Sequence, residues 1–230
     1  MAEAPKRFYT EVTLLPCEDG YLVALDGRPA KTVGRRPLAA APALAEALRS
    51  EWEAQADVIR AETMPLTRLH GLVLDTGDDG RSSAVDVMVQ YAGSDLLCYR
   101  ADETALAARQ EASFAPFLER AEARGLKFRV TTGLLPVPQP ETTLDALAAQ
   151  LVRLDTAELV PRRLMTEVLG SAVLALFAED DPDAAFAAAR LDETVQAETW
   201  GLDSEAELRE QALRRDFDAI VRYLTLEASR

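Results

Sequence analysis

Between Pro161 and Ala178 the chain carries Leu164, Met165, Val168, Leu169, Ala172, Val173, Leu174, Leu176 and Phe177. At 3.6 residues per turn these positions cover nearly the whole circumference of a helix. A helix apolar on every side has no face to give to water, so other elements must enclose it. The segment therefore predicts one helix, opened by Pro161 and buried at the centre of a mainly helical domain, with Gly170-Ser171 inside it for close packing. Enclosing helices are legible on both sides. Pro42 opens one with Leu44, Ala47, Leu48 and Trp52, and Pro65 opens another through Leu69, Leu72 and Val73. A third is capped by Ser82 or Ser83 and carries Val85, Val89 and Ala92. Residues 104–123 carry Leu106, Phe114, Phe117 and Leu118 at helical spacing. Two more follow: Asp183–Trp200, with Ala184, Ala188, Leu191 and Val195 on one stripe, and Glu205–Leu226, with Ala206, Leu213, Phe217, Ile220 and Leu224.

The first residues read differently. Across 7–38 short alternating runs are punctuated by Asp19-Gly20 and Asp26-Gly27, which are hairpin-turn dipeptides, and Tyr21, Val23 and Leu25 share one face. Such a meander is too small to stand unless it packs on something else. Residues 126–140, with Gly133 and prolines 136, 138 and 140, exclude helix and leave room for a short strand or two. The fold class is therefore α+β: a small β-rich domain with one helix at 1–62, then a mainly helical domain at 63–230.

Charge and chemistry narrow the function. A formal net charge of −14 over 230 residues disfavours nucleic acid and anionic membranes as partners. No apolar run approaches the roughly 20 residues of a membrane span. The N-terminus shows no secretory or organelle presequence, so a cytoplasmic protein is expected. Cys17 and Cys98 form no C-x-x-C pair and suit a reducing compartment, with Cys98 buried in its apolar run and Cys17 more accessible. The single histidine, His70, sits mid-helix without a second metal ligand and reads as a satisfied or exposed helix residue. The sequence contains no phosphate loop and no G-x-G-x-x-G. No cofactor and no metal are expected, and no catalytic residues are assigned.

One segment stands apart. Residues 179–210 hold eleven acids against Arg190 and Arg209, a local net of −9. Asp192, Glu193, Gln196 and Trp200 fall on a face away from the apolar stripe. Adjacent carboxylates such as Asp192 and Glu193 are in most acid-rich helices a solvated face. Glu198 lies at the edge of the stripe, where it either pairs with an internal arginine or sits at an interface. Trp200 is either a core anchor or a binding hot spot. The candidate partner-binding set is Asp192, Glu193, Gln196, Glu198, Trp200, Asp203 and Glu205.

Taken in order, Arg7-Phe8-Tyr9, YLVALDGRPAKT at 21–32, AEALRSEWEAQ at 45–55, MPLTRL at 64–69, SDLLCYR at 94–100, Gln110, Pro136–Pro140, Gly170-Ser171, LDE at 191–193 and QAETWGLDSEA at 196–206 resemble one family across almost the full length. It is the assembly chaperone that binds the alpha subunit of the catalytic (F-one) sector of ATP synthase in mitochondria and alphaproteobacteria. The resemblance implies a small β-rich domain before a larger helical one. It implies an ATP-independent, non-enzymatic chaperone, a monomer when free, that holds the ATP synthase alpha subunit until it joins beta. The lack of a presequence points to the bacterial version. Two competitors stay open on the residues alone: an enzyme using paired carboxylates for acid–base chemistry, and a generic acidic scaffold.

Overall fold

The computed structural model describes residues 5–18, 20–133, 135–201 and 204–229. The chain forms two compact units. The first takes in the chain up to Gly77 together with the stretch from Arg222 onward, and the second runs from Asp78 to Val221.

In the first unit, β1 (Val12–Cys17) and β2 (Gly20–Leu25) make an antiparallel hairpin with Val12 opposite Leu25 and Cys17 opposite Gly20. Gly20 is required: its φ is +140°, and a Cβ there would lie 2.3 Å from the Ala40 carbonyl oxygen. Two short strands, β3 (Arg28–Pro29) and β4 (Ala39–Ala40), both pair with β2. The buried Val23, Ala24 and Leu25 belong to the same core as Leu44 and Leu48 of α1 (Pro42–Glu53), the helix packed on this sheet. Helix α2 (Pro65–Asp75) starts at a proline, and the Glu51 carboxylate accepts the Leu66 and Thr67 N–H groups at 2.9 and 2.8 Å. A carboxylate at a helix N-terminus takes orphan donors and meets the positive end of the dipole. His70 is buried in α2, as a satisfied residue. Its Nε2 lies 2.7 Å from the Ala39 carbonyl oxygen and so carries the proton, leaving Nδ1 to accept from the Tyr223 hydroxyl at 2.9 Å.

The second unit is helical, apart from β5 (Tyr99–Arg100) pairing in parallel with β6 (Thr131–Thr132). Its elements are α3 (Asp78–Gly93), α4 (Thr104–Ala123), α5 (Glu141–Leu151), α6 (Thr156–Leu169), α7 (Ala172–Phe177), α8 (Pro182–Ala189), α9 (Leu191–Trp200) and the part of α10 (Ser204–Ala228) before Arg222. Helix α7 packs on α3, α4, α6 and α8, with Ala172, Val173, Leu174, Ala175 and Phe177 buried. The expected central helix is thus there, but as two pieces. Gly170 takes a left-handed conformation (φ 68°, ψ 14°) that ends α6, and the Ser171 hydroxyl accepts the Leu174 N–H to start α7. Pro161 does not open α6. Asp155 and Glu158 do so through a reciprocal capping box, and Pro161 sits buried in the second turn. Of the two pieces α7 is the more enclosed, with Leu176 alone half-buried, whereas α6 exposes Glu167.

Under this break lies Asp95, fully buried. Its Oδ1 accepts from Leu97 N–H at 3.1 Å and the Ser171 hydroxyl at 2.7 Å, and its Oδ2 from Val173 N–H at 3.1 Å. Burial pushes its carboxyl up to about 6 despite these hydrogen bonds. The neighbouring Cys98 is fully buried and its thiol is pushed up to about 12 by burial, whereas Cys17 is half-buried.

Three further expectations change. The helix assigned to Ser82 or Ser83 already begins at Asp78, where Asp78 and Asp79 meet the dipole. Asp183–Trp200 is two helices, because the backbone at Arg190 (φ −110°, ψ 13°) turns the chain between α8 and α9. Helix α5 was not expected at all. The α+β class stands, and among the described residues no helix is long and apolar enough to cross a membrane.

Candidate partner-binding site

Helix α9 has no buried residue. Leu191 and Val195, its apolar stripe, are only half-buried. An element with so little apolar burial needs other attachments, and α9 has three polar ones. At its start Asp192 Oδ1 accepts from Gln110 Nε2 at 2.8 Å. Near its end Glu198 accepts two bonds from the Arg109 guanidinium, at 2.6 and 3.1 Å. At the bend before it, Arg190 spans Glu193 and Glu210, each at 2.9 Å. The Asp192 and Glu198 clamps come from adjacent residues of α4. Gln110 is itself buried, and its Oε1 accepts the Ala101 N–H at 2.7 Å, so the amide is oriented before α9 reaches it.

The structure narrows the alternatives at Glu198 and Trp200. Glu198 is paired internally, and the hydrogen bonds from Arg109 hold its carboxyl below the usual range. Its side chain is still 54% exposed, so the pair lies on the surface. Trp200 is not a core anchor: it is 80% exposed, in the last turn before Gly201, whose φ of 81° ends the helix. Glu193 and Gln196 are exposed with it, while Asp192 is half-buried against Gln110. Glu205 lies in the first turn of α10, exposed and paired with Arg209 at 2.9 Å. Leu208, one turn on, is 65% exposed. Asp203 lies outside the described residues.

The acidic segment is less bare in space than in sequence. Arg109 pairs with Glu198, Arg120 with Asp180, Arg162 with Glu179 and Arg214 with Asp183. These four arginines lie outside 179–210, and counting them takes the local net from −9 to −5. Sequence reasoning missed Arg109 and Arg190 as the cations that organise this surface. The available signal was Gln110, a polar residue in register with the buried Phe114 and Phe117 of α4.

Chemically, this arrangement sets carboxylates against guanidinium groups, which suits recognition better than proton transfer. Asp95, whose carboxyl burial pushes upward, is sealed in the core with Ser171. Among the described residues no group of three or more His, Cys, Asp or Glu side chains is placed to hold a metal ion.

A family model described as ATP12 chaperone protein matches residues 6–122, which includes Arg109 and Gln110 but not α9. Among solved structures, Atp12 from Paracoccus denitrificans is 33% identical, with a TM-score of 0.89 over 97% of this chain and 98% of that one. An aspartate-to-lysine mutant of P. denitrificans Atp12 gives a TM-score of 0.90 at 33% identity over 97% and 98%. A protein from Agrobacterium tumefaciens, described as a proposed chaperone, is 36% identical with a TM-score of 0.88 over 98% of this chain and 87% of that one.

Proposed function

Because the chain belongs to the ATP12 chaperone family, we propose that it holds the free alpha subunit of the catalytic sector of ATP synthase until beta takes its place, without an ATP-driven step. A free subunit exposes apolar surface that its partner later covers, and that surface aggregates when left open. A holder must mask it and still release it, so it needs a contact of modest size with a few strong anchors.

The observation that carries the reading is α9: a helix with no buried residue that presents Trp200, Gln196 and Glu193 outward on polar clamps. An exposed tryptophan amid acids matches the make-up of a binding hot spot. The proposed client-binding set is Asp192, Glu193, Gln196, Glu198, Trp200, Asp203 and Glu205, with Arg109 and Gln110 as positioning residues. The relatives in Paracoccus and Agrobacterium support the cytoplasm of an alphaproteobacterium as the place of action.

Affinity capture on the intact protein from its source cell tests this. The alpha subunit is expected as the dominant captured protein, in equal yield with and without ATP-magnesium. Its absence from the captured fraction, or a requirement for ATP, sinks the proposal.

A further inference from the structure

Two of the segments that carry the family resemblance, Arg7-Phe8-Tyr9 and Leu25–Lys31, lie far from the acidic surface in sequence and take no part in it. They converge in the first unit, where Phe8 and Tyr9 of the one and most of the other line a groove of about 490 Å³ together with Trp52. We propose that this groove is a second protein-docking site, which takes an extended acidic peptide segment bearing an aromatic or branched aliphatic anchor.

The groove has a rigid aromatic wall. Phe8 meets Tyr9 edge-on at 5.4 Å between ring centroids, and Tyr9 meets Trp52 at 5.7 Å. The middle ring is locked: Tyr9 is buried, its hydroxyl donates to the Trp52 carbonyl oxygen at 2.7 Å, and the Arg7 guanidinium lies 4.6 Å from its centroid. Arg7 is fixed in turn by the Gln55 and Tyr9 carbonyl oxygens. The outer ring, Phe8, is 70% exposed. An aromatic ring left in water against a fixed neighbour beside a groove is an anchor point, since covering it removes apolar area from water.

The charge of the groove runs against that of the protein. Arg28 and Lys31 are exposed on its lining, and neither has an ion-pair partner among the described residues. The acid in the lining, Asp26, is engaged elsewhere: its Oδ1 accepts from the Thr10 and Glu11 N–H groups and the Thr10 hydroxyl at 2.9–3.0 Å. Residues 5–38 hold six basic and four acidic residues, in a chain whose net charge is −14. Carboxylates are therefore the complementary ligand, with Arg28 able to grip one bidentately and Lys31 acting as a point charge. The surrounding negative charge disfavours a long polyanion such as nucleic acid, and the volume suits a few side chains.

Fluorescence anisotropy on the full-length protein tests this with a dye-labelled decapeptide alternating glutamate with phenylalanine and leucine. Its glutamine-for-glutamate version and a labelled oligothymidylate of equal charge are the controls. The glutamate peptide is expected to bind in the range of ~10–100 μM at low salt and to weaken as salt rises. The double variant Arg28→Glu/Lys31→Glu should weaken it by about tenfold or more, and Phe8→Ala severalfold. All three side chains are exposed, so circular dichroism and the thermal midpoint should stay at wild-type values. Glu198→Lys should leave peptide affinity unchanged, which separates this site from the alpha-subunit surface. Undiminished binding by the folded double variant overturns the proposal. So do equal affinity for the glutamine peptide or the oligonucleotide, no binding of the glutamate peptide, or a concentration-dependent dimer that the double variant abolishes.

Discussion

At the scale of single residues, the most consequential side chain is one that the sequence did not single out. Asp95 has its carboxyl pushed up to about 6 by burial, above the unfolded value near 3.8. A raised carboxylate favours the folded state most when protonated. Its contribution is therefore fully present below about pH 4 and lost as pH rises through 6, by on the order of 2–3 kcal/mol. Asp95→Asn removes this titration and turns an NH₂ group toward at least one of the donors it faces, costing about 1–3 kcal/mol. Thermal melts at several pH values should show the variant less stable throughout, with a larger deficit at pH 4 than at pH 6.5. A deficit that does not vary with pH would remove Asp95 as the titrating group. Glu198 poses the opposite problem, because it is both paired and exposed. Glu198→Lys sets a second cation against Arg109. If the residue also meets the client, affinity for the alpha subunit should fall by roughly 30-fold or more while the thermal midpoint stays close to wild type. Unchanged affinity in a folded variant takes Glu198 out of the site, and a large drop in midpoint makes it structural. His70 needed no structure to be read correctly, since a lone histidine with no partner ligand has few other fates.

At the scale of elements, the turns decided what could be read ahead. Helices opened by Pro42 and Pro65 and the hairpin of β1 and β2 were legible because their boundary residues have one dominant use. The break at Gly170-Ser171 was visible as a pair and misjudged. The apolar residues continue across it with helical spacing, and periodicity cannot register a single left-handed residue. A direct check is Gly170→Ala. A Cβ there meets nothing within 4 Å, so its effect should be conformational, lowering stability by about 1 kcal/mol, with Gly170→Asn costing less. Equal stability of all three proteins by denaturant unfolding would contradict that account. Helix α5 was hidden by its neighbourhood: the prolines at 136, 138 and 140 read as a loop that swallowed the spacing of Leu144, Leu147 and Leu151. Of the candidate surface, part was legible. The acids of α9 announced themselves in composition. Arg109 did not, because it is 89 residues from Glu198 and nothing local links them.

At the scale of the whole molecule, the sequence count of charge overstated the bareness of the acidic segment, since arginines from α4, α6 and α10 return to it. What remains negative should still speed encounter with a basic client patch, so the association rate should fall more steeply with ionic strength than the dissociation rate rises. Stopped-flow measurements across a salt series read this directly, and an association rate independent of salt would exclude steering. Segments far apart in sequence are also joined in the first unit, for His70 accepts its hydrogen bond from Tyr223, 153 residues further on, and Tyr223 is fully buried. A chain ending at Val221 should therefore lose the cooperative unfolding of the first unit, and an unaltered melt of that truncation would refute it. The same closure has a meaning for synthesis. At about 5–20 residues per second, the ribosome needs roughly 8–30 s to travel from His70 to Tyr223. For that interval the segment around His70 waits for the one that completes its core, and a chaperone is itself, at birth, an unfinished fold.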